Sequence, residues 1–246
     1  MPLPRVLTAA LLACTVALPA AADMTQAERD DLRKEIRAYL LENPEVLVEA
    51  MNELQAREEQ AAASRDQQLL KDHADAIFND PNSWVGGNPE GDITVVEFMD
   101  YRCGYCRKAY EEVEELVKSD GNIRYVVKEF PILGDQSVLS SQFAIAVRQL
   151  HGDEAYRQAF DGLISLKGEA NNESLTRAGN KLGLDAAPIL DRMDDPEVMA
   201  VIAANHELAT ILDISGTPTF VVDQTMVRGY VPLDGMRQIV AGERQG

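Results

Sequence analysis

Two cysteines three residues apart, in Cys103-Gly104-Tyr105-Cys106, are the residues of this chain best suited to do chemistry. They follow an apolar run, Ile93-Thr94-Val95-Val96-Glu97-Phe98-Met99, and precede an amphipathic stretch from Arg107 to Val117. A strand that leads into such a pair at the mouth of a helix is a redox arrangement. Unpaired backbone N–H groups and the helix dipole favour a thiolate on the first sulfur. A structural zinc site needs four ligands, and the remaining donors are the scattered His73, His151 and His206. A structural disulfide gains stability with loop length, and this loop is very short. The expectation is therefore a reactive pair with no metal and no cofactor. Cys103 would be the nucleophile, and Cys106, one turn inside the helix, would resolve the mixed disulfide. Arg102, Arg107 and Lys108 crowd the same helix end, where they either support a thiolate or extend into solvent.

Glu97 lies six residues before Cys103 within the apolar run, where carboxylates are rarely placed. It is either a buried acid or a strand-edge glutamate turned to water. Lys128, on the next predicted strand, is a candidate partner for it.

The elements around the pair are legible from capping and periodicity. Residues 1–22 read as a secretory signal, with Arg5 at its start, an apolar core from Val6 to Leu18, and Ala20-Ala21-Ala22 before Asp23. Its apolar run is too short to span a membrane, and no later run is longer. Leu11-Leu12-Ala13-Cys14 also allows a lipidated Cys14. The chain carries 23 basic and 41 acidic residues, a net charge of −18, and loss of the signal removes only Arg5 among the charged groups. That balance opposes binding to nucleic acid or anionic lipid, although solubility alone also accounts for it. An exported chain of this size with one remaining cysteine pair is not stapled by disulfides.

Thr25-Gln26-Ala27-Glu28 is a capping box that opens a helix carrying Leu32, Ile36 and Leu40. Asn43-Pro44 is expected to start a second, with Asn43 as N-cap and Leu47, Met51 and Leu54 on one face. Residues 55–68 are polar and rich in helix formers, which suits an exposed helical spacer. Leu69, Leu70, Ala74, Ile77 and Phe78 are expected to form a helix that docks on the main domain, and residues 79–83 and 86–92 are turn-rich. Residues 123–130 read as a strand ended by Pro131. Helices are expected over 135–150, 153–166, 172–182 and about 185–213, with Asp195-Pro196 a start signal inside the last. A hairpin across Asp223-Gln224 and a helix from Leu233 to Ala241 close the chain.

From about Trp84 onward this order resembles the DsbA family of thioredoxin-fold oxidoreductases. The resemblance rests on the CxxC, Val95-Val96-Glu97-Phe98, Lys128-Glu129-Phe130-Pro131 and Gly216-Thr217-Pro218-Thr219-Phe220. Residues 24 to about 60 resemble the N-terminal extension of ScsC-type members, through Ile36-Arg37-Ala38-Tyr39-Leu40-Leu41-Glu42-Asn43-Pro44. The implied fold is α/β, a DsbA-like thioredoxin fold with a helical insertion at about 131–213 and an N-terminal helical extension. The implied organisation is a helical, candidate oligomerisation region at 23–60, a linker and docking helix at 61–83, and the catalytic domain at 84–246. The resemblance also implies that Glu97 sits below the cysteines and assists proton transfer at Cys106. About 5–6% of X–Pro bonds are cis, so trans is the default for Thr217-Pro218. The family keeps a cis-proline facing its CxxC, which reverses that default and leaves the Thr217 backbone to pair with an extended substrate.

The implied activity is that of a periplasmic thiol–disulfide oxidoreductase acting on cysteine-containing secreted proteins, with a membrane redox partner. DsbA proper has a histidine between its cysteines, and Gly104-Tyr105 in its place implies a milder oxidant. The same tetrapeptide is similar to that of the DsbC isomerases. Self-association through residues 24–60 would favour isomerisation, and intramolecular packing of the same stripe would argue against it. A monomeric oxidase and a copper-binding protein are the alternatives. For copper, two thiolates suffice to hold Cu(I), but the eight methionines are dispersed.

Overall fold

The computed structural model describes residues 24–245, so the expected signal and Cys14 lie outside the described residues. The chain divides into two compact units, one ending at Arg57 and one beginning at Glu58.

In the first unit, helix α1 (Gln26–Glu42) opens with the expected reciprocal capping box between Thr25 and Glu28. Asn43 does not start the next helix. It terminates α1, where its backbone N–H and its Nδ2 both donate to the Tyr39 carbonyl, at 2.8 and 2.9 Å. An asparagine at this junction can cap either helix, and here the unpaired carbonyl of the last turn claims it. Helix α2 (Glu45–Asp72) follows after Pro44 and takes in the whole polar stretch 55–68. Leu32, Ile36, Leu47, Met51 and Leu54 are exposed.

The second unit is built on a five-stranded sheet of order β1-β3-β2-β4-β5. Strands β2 (Ile93–Met99) and β3 (Ile123–Glu129) run parallel at its centre, and helix α4 (Gly104–Asp120) makes the crossover. Gly121 ends α4 in the left-handed conformation, with φ of 73°, which glycine adopts without a Cβ clash. Strands β4 (Thr219–Val222) and β5 (Thr225–Arg228) form the expected hairpin, β4 pairing antiparallel with β2. Strand β1 (Trp84–Gly87) was not foreseen, because Gly86-Gly87 signal a turn. It pairs antiparallel with the outer edge of β3, and the Trp84 ring at its start is buried against Tyr125 and Tyr156.

Alternation along β2 and β3 assigns side chains to two cores. Ile93, Val95 and Met99 share one face with Ile123, Tyr125, Val127 and the cysteines of α4. Val96, Phe98 and Val126 face the other way, toward Leu70 near the end of α2 and Ile77 of the short helix α3 (Ala74–Phe78). The expected docking segment is thus buried in the second core, broken in two at His73. The helical block comprises α5 (Asp135–Ile164), α6 (Asn172–Lys181), α7 (Ala186–Met193) and α8 (Pro196–Ile211). Gly152, at φ 83°, kinks α5 where two helices were expected. Asp195 caps α8 and divides the predicted 185–213 helix. Helix α9 (Leu233–Glu243) packs beside α4. Among the described residues, no helix is long and apolar enough to cross a membrane.

Candidate active site

Cys103 is the N-cap of α4, its backbone extended at φ −70° and ψ 120°, which places it at the helix end with unpaired N–H groups, although its side chain makes no geometric cap hydrogen bond. Both cysteines are free thiols, and both are buried, Cys103 at 7% exposure and Cys106 at 1%. The Cys103 thiol donates to the Thr217 carbonyl at 3.1 Å, joining two motifs far apart in sequence. The Thr217–Pro218 bond is cis.

The two sulfurs have unequal acidity. Cys103 is drawn down to about 5, chiefly by a hydrogen bond from Cys106; the Thr217 side chain and the backbone N–H groups of Cys106 and Tyr105 add to this, against the opposing effect of burial. Cys106 is pushed far above the ordinary thiol range by its hydrogen bond to Cys103, by burial and by the Glu97 charge. One sulfur is thus ready as a nucleophile and the other is held as a thiol.

The three nearby cations have other engagements. Arg102 donates to the Gly168 carbonyl at 2.8 Å, and Arg107 to the Tyr101 carbonyl at 2.8 Å. The Lys108 ammonium lies 4.1 Å from the centre of the Tyr230 ring, which stacks on the exposed Tyr105. The partner thiol, then Thr217 and the helix-end N–H groups, rather than these side chains, acidify Cys103.

Glu97 is buried on the α4 side of the sheet and does not face water. Burial raises its carboxyl to about 7, against the hydrogen bond it accepts from the Tyr125 hydroxyl, and the Cys103 charge raises it further. Lys128 is not its partner. The register sets Lys128 beside Phe98, and alternation turns it to the opposite face. There its ammonium donates to Asp80 at 2.8 Å and to the Ala76 carbonyl at 2.7 Å.

Two acids that sequence reasoning passed over shape the loop between β2 and α4. Asp100 is fully buried; its Oδ1 accepts from the Arg102 N–H at 2.7 Å, and its Oδ2 from the N–H groups of Ile132 and Leu133 at 2.8 and 3.0 Å. Glu129, at 3% exposure, accepts from the hydroxyls of Tyr101, Tyr156 and Ser141. The available signal was an acidic residue at the end of each central strand, where the apolar pattern breaks.

This geometry agrees with the comparisons to known proteins. Residues 79–241 match the family model described as thioredoxin. The chain belongs to the thioredoxin family. Residues 28–61 match a second model, described as the N-terminal domain of the copper resistance protein ScsC. A thioredoxin-like oxidoreductase from Silicibacter pomeroyi DSS-3 is 43% identical, with a TM-score of 0.65 over 70% of this chain and 98% of its own. The thiol-disulfide exchange protein alpha-DsbA2 from Wolbachia pipientis is 26% identical, with a TM-score of 0.69 over 74% and 98%. The chain spans about a quarter of the length of the first curated relatives it matches. One of these, the Na(+)/H(+) antiporter NhaA 1 of Salinispora arenicola, is 29% identical over 66% of this chain and 25% of its own length. The fold and family are those of the DsbA-like and ScsC-like thiol–disulfide exchange proteins.

Proposed function

We propose that the protein is a periplasmic thiol–disulfide oxidoreductase that forms and rearranges disulfides in secreted proteins. The observation that carries this reading is the unequal pair, Cys103 acidified at the helix start and Cys106 kept protonated beneath it. In oxidation, a substrate thiolate attacks Sγ of Cys103 in the Cys103–Cys106 disulfide and displaces the Cys106 sulfur, which takes up a proton. A second substrate thiolate then attacks the substrate sulfur of the mixed disulfide and releases Cys103 as a thiolate. The substrate loses two electrons and the protein gains them, to be passed to a membrane redox partner. In isomerisation, the Cys103 thiolate opens a wrong disulfide, forming a mixed disulfide and a free substrate thiolate. A different substrate thiolate then attacks the substrate sulfur of that mixed disulfide, forming the new substrate disulfide and releasing Cys103 as a thiolate, with no net electron transfer.

Within this reading, Glu97 exchanges the proton at Cys106, and the Thr217-Pro218 segment offers backbone to an extended substrate. The exposed Leu32, Ile36, Leu47, Met51 and Leu54 supply the contact for self-association. Export by residues 1–22 delivers the chain to an oxidising compartment. The copper description attaches to residues 28–61, which contain neither cysteine nor histidine, so exchange chemistry is the favoured reading. The test is refolding of a reduced and of a scrambled multi-disulfide protein. Recovery from both, lost in Cys103→Ser, is the expected outcome. Recovery only from the reduced substrate would leave an oxidase, and recovery from neither would overturn the proposal.

A further inference from the structure

Glu129 takes no part in the exchange steps, yet like Asp100 it is a buried carboxylate near the pair that accepts three hydrogen bonds, and all three of its own come from side-chain hydroxyls. Its Oε1 accepts from the Tyr101 hydroxyl at 2.7 Å and from the Tyr156 hydroxyl at 2.6 Å, and its Oε2 from the Ser141 hydroxyl at 2.7 Å. These donors come from different places. Tyr101 belongs to the loop that presents Cys103, whereas Ser141 and Tyr156 stand on α5 of the helical block. Burial raises its carboxyl to about 7 against the three hydroxyl bonds, and in its ionised form the bonds it accepts are among the stronger ones, so this carboxylate can fix one element against another.

Tyr101 is held at both ends. Its phenol donates to Glu129, and its carbonyl accepts from Arg107 in the first turn of α4 at 2.8 Å. Its ring lies edge-on to Phe160 of α5. One residue earlier, the Asp100 carbonyl accepts from the Cys103 N–H at 3.0 Å. The short path from Asp100 to Cys103 is therefore pinned on one side by the helical block and on the other by the helix whose N–H groups acidify Cys103.

We infer that Glu129 is a positioning residue for thiol–disulfide exchange, acting through Tyr101 to hold the Cys103 loop at the N-terminus of α4. This rests on the exchange reading of Cys103 and adds a residue to it. A merely structural role makes a different forecast, because Tyr101 and Tyr156 donate to the same oxygen. Loss of either hydroxyl costs one bond of the same kind, yet only Tyr101 touches the loop.

The test compares wild type with Tyr101→Phe, Tyr156→Phe and Glu129→Gln in the full chain. The pH dependence of Cys103 alkylation, the equilibrium with glutathione and the melting temperature are measured for each. Tyr101→Phe and Tyr156→Phe should lower the melting temperature by similar amounts. Only Tyr101→Phe and Glu129→Gln should raise the Cys103 midpoint, by about half a pH unit, or roughly threefold in thiolate fraction at a pH below both midpoints. Both should also make the disulfide a weaker oxidant against glutathione. Equal shifts in the two Phe variants, or none in Tyr101→Phe, would overturn the inference while leaving the wild-type midpoint low. A wild-type midpoint in the free-thiol range would instead remove the exchange reading itself.

Discussion

At the scale of single residues, the site works by contrast between neighbours. The hydrogen bond that Cys106 gives to Cys103 lowers one thiol and raises the other, so the asymmetry belongs to the pair. In the proposed function Glu97 supplies the remaining proton chemistry. Its carboxyl, raised to about 7 by burial, is poised where a group can both give and take a proton near neutrality. Glu97→Gln should therefore slow exchange at pH 7 by about 10²-fold, measured as resolution of a trapped mixed disulfide. The same group sets a pH dependence of stability. Its folded pKa lies above the unfolded value of 4.5, so its contribution is fully present below pH 4.5 and is lost as pH rises through about 7. The Gln variant should gain stability relative to wild type across that interval. A constant difference between the two over pH 4.5 to 7 would contradict the buried, raised carboxyl.

At the scale of elements, the central parallel strands sort their side chains by alternation. Glu97 and Glu129 face the α4 side, and Lys128 faces α3. Lys128 is almost wholly buried, whereas Asp80 keeps a fifth of its side chain exposed. Loss of Asp80 strands a buried ammonium, while loss of Lys128 leaves a carboxylate that water can reach. Asp80→Ala should therefore cost about 3–5 kcal/mol in denaturant unfolding, and Lys128→Met markedly less. Equal costs would contradict this asymmetry. The same alternation shows what the sequence made legible. The CxxC, the apolar strand before it and the hairpin could be read because their patterns are local. Strand β1 could not, since Gly86-Gly87 disfavour a strand and only pairing with β3 makes one. The partner of Lys128 lay in a segment read as a turn, so Glu97 was nominated although strand parity excludes it. The bonds of Glu129 come from α5 and from the loop after β2, and no spacing in the sequence links them. The cis state of Thr217–Pro218 was expected from family resemblance alone.

At the scale of the whole molecule, two units carry separate tasks in the proposed function. The first presents an apolar stripe, and exposed side chains of that kind over two helices are a feature of association surfaces. Mass measurement in solution should find the full mature chain self-associated and a chain lacking residues 24–57 monomeric. Monomers in both cases would end the oligomer proposal and leave the oxidase. In the proposed function the second unit carries the exchange chemistry, and the central expectation is that the fold keeps the Cys103 sulfur ionised at the start of α4. Alkylation of the reduced protein across pH, with each cysteine followed separately, tests that claim most directly. Cys103 should react with a midpoint near pH 5, while Cys106 stays unreactive well past pH 9. A Cys103 midpoint near pH 8.5, the value of a free cysteine, or earlier reaction at Cys106, would contradict the account.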